Sequence, residues 1–437
     1  MDYVKNILND SEIKKITHSC SIRNHPVSKL PIIIRTNYLQ GLRSILPMSE
    51  PFMNALFKAL ETSILGEEQA ISYNDTNNPK DEVKAAIKPY RIGWHWFRLT
   101  YSFFFDYFYL ASLCNKSDLV YARYERLDDY CNLFTKKALQ RVYDYFKNST
   151  PCDKIPTQLV KHREMNLKFE SAPLKKVLVV ANVSAGKSTL INALIGRKLN
   201  KTATNACTKE LCYIFGKPKK DGITIKTRKT SLFQYDNSIS KNLSDEAEMI
   251  GLHISYEPLQ GEKICFIDTP GFNDVRNPER GAITEKAIRS NDYDAIIYVA
   301  NAAYMGRGDE QHLLETIIQN TKKPIIFVMN CLDKYKSSED SIEESVKKYH
   351  NDIEMLGVRN PKIVPVSARA ALLMRMSEKN LLDEDEKFDL KNFESKFRKD
   401  YYDLPKYTQN NQFGRSNLID MTGIPLLERI ISSINTK

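Results

Sequence analysis

The 437-residue sequence predicts two regions of different class: an all-α helical bundle over residues 1–165, then an α/β domain over 172–437. In the second region a mostly parallel sheet is expected, flanked by helices. Three observations carry this. Up to about residue 170 the apolar residues recur at three- and four-residue steps with charges on the opposite face, which is helical periodicity. Beyond Lys175 short β-branched runs alternate with amphipathic stretches, the pattern of βαβ units. Between them HREMNLKFESAPLKK carries charges and a proline, so the boundary falls near 159–174.

The chain opens on MDYVKNILND, which has neither the basic flank nor the apolar core of a signal peptide, and no export is expected. Composition supports a globular protein, with 42% hydrophobic and 27% charged residues. The formal charge of +10 is spread over both regions and predicts only a mild attraction to acidic surfaces. Eight cysteines lie scattered without C-x-x-C or histidine at metal spacing, as reduced thiols of a cytoplasmic protein would. No basic and aromatic platform for nucleic acid is present.

Within the first region, Tyr121–Asn148 reads as amphipathic helix. Gly93–Cys114, GWHWFRLTYSFFFDYFYLASLC, is dense in aromatic residues. Arg98 and Asp106 would be costly in a bilayer, so it is expected to be a core helix, with a peripheral membrane or partner contact as the alternative. In the second region VLVVA (177–181), ICFID (264–268), AIIYVA (295–300), IIFVMN (325–330) and KIVPVS (362–367) are the expected strands. KPKKDG, Lys217 to Gly222, predicts an exposed hairpin. The insert over about 370–420, rich in charge, predicts a solvated helical excursion beside the last loop.

The loops after these strands carry the chemistry. ANVSAGKSTL, Ala181 to Leu190, follows a strand and opens a helix at Lys187, the setting of a phosphate-binding loop. Such a loop turns its backbone N–H groups inward, and the helix N-terminus adds partial positive charge. Asn182, Val183, Ser184, Ala185, Gly186, Lys187, Ser188 and Thr189 are therefore expected to cradle the phosphates. Gly186 permits close approach, Lys187 reaches the β- and γ-phosphates, and the Ser188 hydroxyl can ligate Mg²⁺. Ala181 stands where the usual pattern has glycine, at a strand exit where a methyl group is tolerable. Asp268-Thr269-Pro270-Gly271 follows the next expected strand. Asp268 can hold Mg²⁺, and the Gly271 N–H can sense the γ-phosphate. Asn330-Cys331-Leu332-Asp333 occupies the place of a base-reading motif: a carboxylate accepts from N1–H and the 2-amino group of guanine, and adenine offers neither. Ser367-Ala368-Arg369 ends the last expected strand and is expected to pack on the base. Four motifs in this order predict a P-loop GTPase domain.

From Lys175 onward the chain resembles the dynamin-like branch of the GTPases. VSAGKSTLINALIG, Val183 to Gly196, is similar to that family's loop and first helix, and NACTKE, Asn205 to Glu210, to its switch I. The resemblance implies that Thr208 helps to hold Mg²⁺ and the attacking water, and that Ser184 positions the catalytic machinery alongside Lys187 and Gly271. It further implies that catalysis improves when two GTPase domains pair face to face, and that GTP turnover is coupled to membrane remodelling. The sequence has Val183 where the best-known dynamins have glutamine, Phe272 after Gly271 where small GTPases place glutamine, and Cys331 in place of the lysine of the base motif. Slow intrinsic hydrolysis is the expected consequence. No long stalk follows PLLERIISSI (425–434), which puts membrane remodelling by this chain alone in doubt. The expectation is thus a Mg²⁺-dependent GTPase, slow and stimulated by assembly, that binds GTP and GDP, pairs as a nucleotide-dependent homodimer and signals to a second protein subunit or to itself. The alternative is a nucleotide-gated scaffold with little hydrolysis.

Overall fold

The structure, a computed structural model, describes residues 10–66, 73, 78–88, 90–92, 95–97, 99–113, 124, 127–199, 210–227, 233–236, 247–272, 279–305, 308–409 and 416–436. It divides into two compact units, one of Met1–Ser171 with Asp221–Asn237, the other of Ala172–Lys220 with Ser238–Lys437.

The first unit is helical, in order α1 (Asp10–Thr17), α2 (Ile32–Ile45), α3 (Pro51–Leu65), α4 (Pro79–Ala86), a short antiparallel ladder of β1 (Tyr90–Ile92) and β2 (His95–Phe97), then α5 (Leu99–Leu113), α6 (Leu133–Asn148) and α7 (Thr157–Ser171). The ladder interrupts a region that helical periodicity alone described as continuous. A break at Asn132 divides the expected 121–148 helix. There the Asn132 side chain accepts from the backbone N–H groups of Phe134 and Thr135, a capping box that starts α6 afresh.

Helix α5 is the centre of this unit. Thirteen of its fifteen residues are buried, the behaviour of a helix that is apolar all round. Its one carboxylate, Asp106, is 1% exposed and accepts from the Tyr38 hydroxyl at 2.6 Å and from His25 Nε2 at 2.9 Å. The His25 Nδ1 accepts the Val27 N–H, so the Nε2 proton is the one aimed at Asp106. Tyr109 is held likewise, between His18 Nε2 at 2.6 Å and the Asn166 amide at 2.9 Å. The part of the aromatic run that forms α5 thus buries its apolar surface inside the unit. No described helix is long and apolar enough to cross a membrane.

The second unit starts with β3 (Lys175–Ala181), α8 (Lys187–Ile195) and β4 (Cys212–Gly216). The chain then leaves it for the hairpin β5 (Ile223–Thr227) and β6 (Phe233–Asp236), which belongs to the first unit, although the sequence boundary near residue 170 assigned it to the second region. It continues with β7 (Ala247–Leu252), β8 (Ile264–Asp268), α9 (Glu279–Ser290), β9 (Ala295–Asn301), α10 (Gly308–Asn320), β10 (Ile325–Asn330), α11 (Ile342–Met355), β11 (Lys362–Pro365), α12 (Ala368–Ser377), α13 (Glu384–Phe397) and α14 (Ile424–Ser432).

The strands of this unit run in the order β11-β10-β9-β3-β8-β4-β7, and every pair in it is parallel except β4 with β8. Strands covered on both faces must be apolar throughout, and Val177 to Ala181 and Ala295 to Val299 are each at most 1% exposed. Parallel strands present their carboxyl ends on one edge. Register pairs Asp268 with Val179, Ala181 with Val299 and Asn330 with Asn301, so the loops after β3, β8, β9 and β10 converge there.

Candidate functional site

The loop after β3 turns because two residues adopt left-handed backbone, Ser184 at φ +66° and Gly186 at φ +87°. Ala181, where glycine was expected, is the fully buried last residue of β3 and has no positive φ. The glycine that matters is Gly186. A Cβ there would sit 2.4 Å from Asn330 Nδ2, in a conformation that L side chains rarely adopt. From Gly186 the chain enters α8, the Leu190 N–H bonding the Gly186 carbonyl at 2.9 Å. The N–H groups of the first turn therefore lack intrahelical acceptors and give the phosphate-loop geometry its anion affinity.

Asn330 joins three loops. Its Nδ2 donates to the Ala185 carbonyl at 3.1 Å, and its Oδ1 accepts the Ala368 N–H at 3.1 Å. Asn301, which sequence reasoning did not single out, donates in parallel to the Ser184 carbonyl at 3.2 Å. A polar side chain ending the apolar strand AIIYVAN was the available signal.

The Asp268 turn is fixed with equal care. Phe272 pairs with Asn182 in an isolated parallel bridge, its N–H bonding the Ala181 carbonyl at 3.1 Å and its carbonyl accepting the Val183 N–H at 3.3 Å. Thr269 Oγ1 donates to the Val179 carbonyl at 2.9 Å, and Thr284 Oγ1 of α9 to the Pro270 carbonyl at 2.8 Å. Gly271 lies so close to the phosphate loop that an added Cβ would be 2.9 Å from Val183 Cγ2. Lys187 is 8% exposed and Asp268 is fully buried, and the Lys187 ammonium bonds the Asp268 carboxylate directly. Burial strengthens this ion pair, and both groups stand at the mouth of the phosphate loop.

The loop after β10 begins at Cys331, left-handed at φ +69°, and makes one short 3₁₀ turn over Leu332–Lys334. Asp333 is 8% exposed, and Ser367 Oγ donates to its Oδ1 at 2.6 Å, which fixes the carboxylate. Ser367 also caps α12 by accepting the Ala370 N–H. Burial, with the Asp333 charge beside it, pushes the Cys331 thiol up to about 11. The Arg369 guanidinium pairs with α13, 3.5 Å from Glu386 and 3.3 Å from Asp389.

Fourteen of the named positions therefore gather at one sheet edge: the loop from Asn182 to Thr189, Asp268, Gly271, Asn330, Asp333 and Ser367 with Ala368 beside Asn330 mark its corners, while Thr208 lies outside the described residues. Asp268 and the Ser188 hydroxyl are hard oxygen donors of the kind Mg²⁺ prefers, and Mg²⁺ takes only one or two protein oxygens when phosphates supply the rest. The residues present fit that ion.

Comparison with known proteins gives the same region. Residues 177–332 match the model of the Dynamin family. The chain is 26% identical over 212 residues to a probable transmembrane GTPase, FZO-like and chloroplastic, of Arabidopsis thaliana, covering 48% of this chain and 21% of that protein. It is 27% identical over 189 residues to a bacterial dynamin-like protein of Nostoc punctiforme, covering 39% and 27%. To the GTPase Era of Halothermothrix orenii it is 29% identical over 194 residues, covering 44% and 49%. The chain thus spans between about a fifth and a half of the length of these relatives.

Proposed function

We propose, from a chain whose residues 177–332 match the Dynamin family model, that the site binds GTP and GDP with Mg²⁺ and hydrolyses GTP slowly. One observation carries the reading: Asn330 ties the phosphate loop at Ala185 to the last loop at Ala368, at the start of the turn that holds Asp333. That geometry supports reading the Asp333 carboxylate as the acceptor for a purine edge and the loop N–H groups as the bed for phosphates.

The Lys187 ammonium would bind the β- and γ-phosphates, exchanging part of its pairing with Asp268 for them. Asp268 and Ser188 would hold Mg²⁺, which neutralises charge on the phosphates. Thr208 is proposed to complete that set and to position the attacking water, Ser184 to position the machinery, and the Gly271 N–H to bond the γ-phosphate. Asp333 accepts from the guanine N1–H and 2-amino group. Val183 is 41% exposed and Phe272 is buried, so hydrocarbon occupies both places from which a glutamine amide would orient water. Low basal turnover follows, and pairing of two GTPase domains across this edge is the proposed stimulus.

The test is nucleotide binding by calorimetry together with GTP turnover as a function of protein concentration. Lys187→Ala should abolish measurable GDP and GTP binding, and Asp333→Asn, whose amide donates to a 2-oxo group, should move preference from GDP to XDP. Turnover per molecule should rise with concentration. Equal affinity for GDP and ADP in the unaltered protein would sink the reading, whereas tight GTP binding with negligible, concentration-independent turnover would leave a nucleotide-gated scaffold.

A further inference from the structure

The insert between β11 and α14 holds the base loop from outside. The Lys396 ammonium donates to the Asp333 carbonyl at 2.5 Å, the Tyr402 hydroxyl to the Tyr335 carbonyl at 2.7 Å, and the Tyr401 hydroxyl to the Asp340 carbonyl at 2.8 Å. Three carbonyls spread along the loop are thus taken by donors from one seven-residue stretch, Lys396 to Tyr402. A segment that was expected to be a solvated excursion is in this part a brace.

The brace is itself fixed. Phe397 is fully buried and Tyr402 is 3% exposed, with ring centroids 5.8 Å apart. Lys396 Nζ lies 5.2 Å from the Tyr402 ring centroid, so the two donors also hold each other. At the other end of α13, Glu386 takes Lys198 at 2.6 Å and Arg369 at 3.5 Å, anchoring the helix to the chain just after α8 and to the start of α12.

The loop needs such support. Its turn has only two short-range backbone bonds, from the Lys334 N–H to the Cys331 carbonyl and from the Tyr335 N–H to the Leu332 carbonyl. Cys331 has no long stem to lay across it. The carbonyl held by Lys396 and the carboxylate held by Ser367 belong to the same residue, so peptide rotation at Asp333 would swing the carboxylate.

We propose that Lys396 and Tyr402 are positioning residues for base recognition, keeping the Asp333 carboxylate in the one orientation that accepts two hydrogen bonds from a purine bearing a 2-amino group. This rests on the reading of Asp333 given above. Neither residue touches the base; both act through the main chain of 333–335.

The test compares GDP with IDP, which lacks the 2-amino group, by calorimetry on the full chain. Lys396→Met with Tyr402→Phe keeps stem and ring packing while removing both donors. The double variant should lose about tenfold in GDP affinity, the weight of one hydrogen bond from a charged donor, with IDP affinity changed by less than about threefold. The preference for GDP over IDP therefore collapses, and Lys396→Arg, which retains a charged donor, restores it. A thermal melt confirms folding of each variant. An unchanged GDP-to-IDP preference in the folded double variant, or equal weakening of both nucleotides, overturns the inference alone. Wild-type protein that binds GDP and IDP alike removes the reading of Asp333 and this inference with it.

Discussion

Two glycines of the site separate backbone need from mere proximity. Gly186 has φ +87°, and a methyl group there would meet Asn330 Nδ2 at 2.4 Å, whereas Gly271 has no such φ and its nearest clash, 2.9 Å, is with the end of the half-exposed Val183 side chain. Asn330 cannot retreat without releasing both the Ala185 carbonyl and the Ala368 N–H. Gly186→Ala should therefore cost about 2 kcal/mol of stability and at least tenfold in GDP affinity. Gly271→Ala, relieved by a turn of Val183 about χ1, should stay within about threefold for GDP. Calorimetric titration of both variants distinguishes the two, and a tight-binding Gly186→Ala would show that the joint through Asn330 does not hold the loop.

At the scale of elements, α8 carries the phosphate loop at its start and is held at its end by two cations, Arg375 of α12 and Lys379 just beyond that helix. Arg375 donates to the Ala193 carbonyl at 2.7 Å while forming a bidentate pair with the buried Glu428 of α14 at 2.6 and 2.8 Å. Lys379 donates to the Gly196 carbonyl at 3.0 Å. Burial first, then the neighbouring Lys220, Arg197 and Arg375, pushes the Lys379 ammonium down to about 8. Its folded value lies below its unfolded one near 10.4, so the unfolded chain binds more protons in between, and stability should rise as pH climbs from about 8 to about 10. After a discount for solvent screening of a half-exposed group, the gain is on the order of 1 kcal/mol, or about 2–4 °C in the melt of this unit. Lys379→Met should flatten that rise in differential scanning fluorimetry; a rise of equal slope in the variant would assign it to another group. None of these three side chains was legible in the sequence, because an arginine or lysine on a helix reads as solvated surface until the partner 53 residues away is known. The strands were legible for the opposite reason: a strand covered on both faces has no polar position, so ICFID and IIFVMN announce themselves. The phosphate loop and Asp333 were legible because their chemistry is local in sequence. The brace from Lys396 and Tyr402 and the side chains of Asn301 and Thr284 were not, since each acts on a carbonyl that any residue could supply.

At the scale of the whole molecule, the chain passes between its two units three times, at 171/172, 220/221 and 237/238, and the hairpin of β5 and β6 is the reason. No composition shift marks this detour, and it was not legible; a threonine-bearing hairpin beside a lysine-rich turn looks alike in either unit. What commits it to the first is specific. The Asp221 carboxylate accepts the N–H groups of Cys20 at 2.7 Å and Ser21 at 3.2 Å, where the chain has just left α1. Lys226 of β5 pairs with Glu12 of α1 at 2.9 Å, and although burial works against the Glu12 charge, Lys226 with Lys15 more than offsets it and holds the carboxyl below its ordinary value. Helix α3 packs on β6, and Ile223 and Ile225 are each 1% exposed. The helical region should accordingly be incomplete without this excursion. A fragment of residues 1–171 should be less stable than the same fragment with 221–237 appended through a flexible linker. Two charge-assisted hydrogen bonds and part of the burial of two isoleucines, less the cost of closing the linker, leave a difference of roughly 3 kcal/mol. With a urea m-value of about 2 kcal/mol/M for a fragment this size, the unfolding midpoint should move up by about 1.5 M. Asp221→Ala in the appended segment should return about half of that shift. Coincident midpoints for the two fragments would mean that the helices stand alone and that the hairpin is carried by them without holding them together.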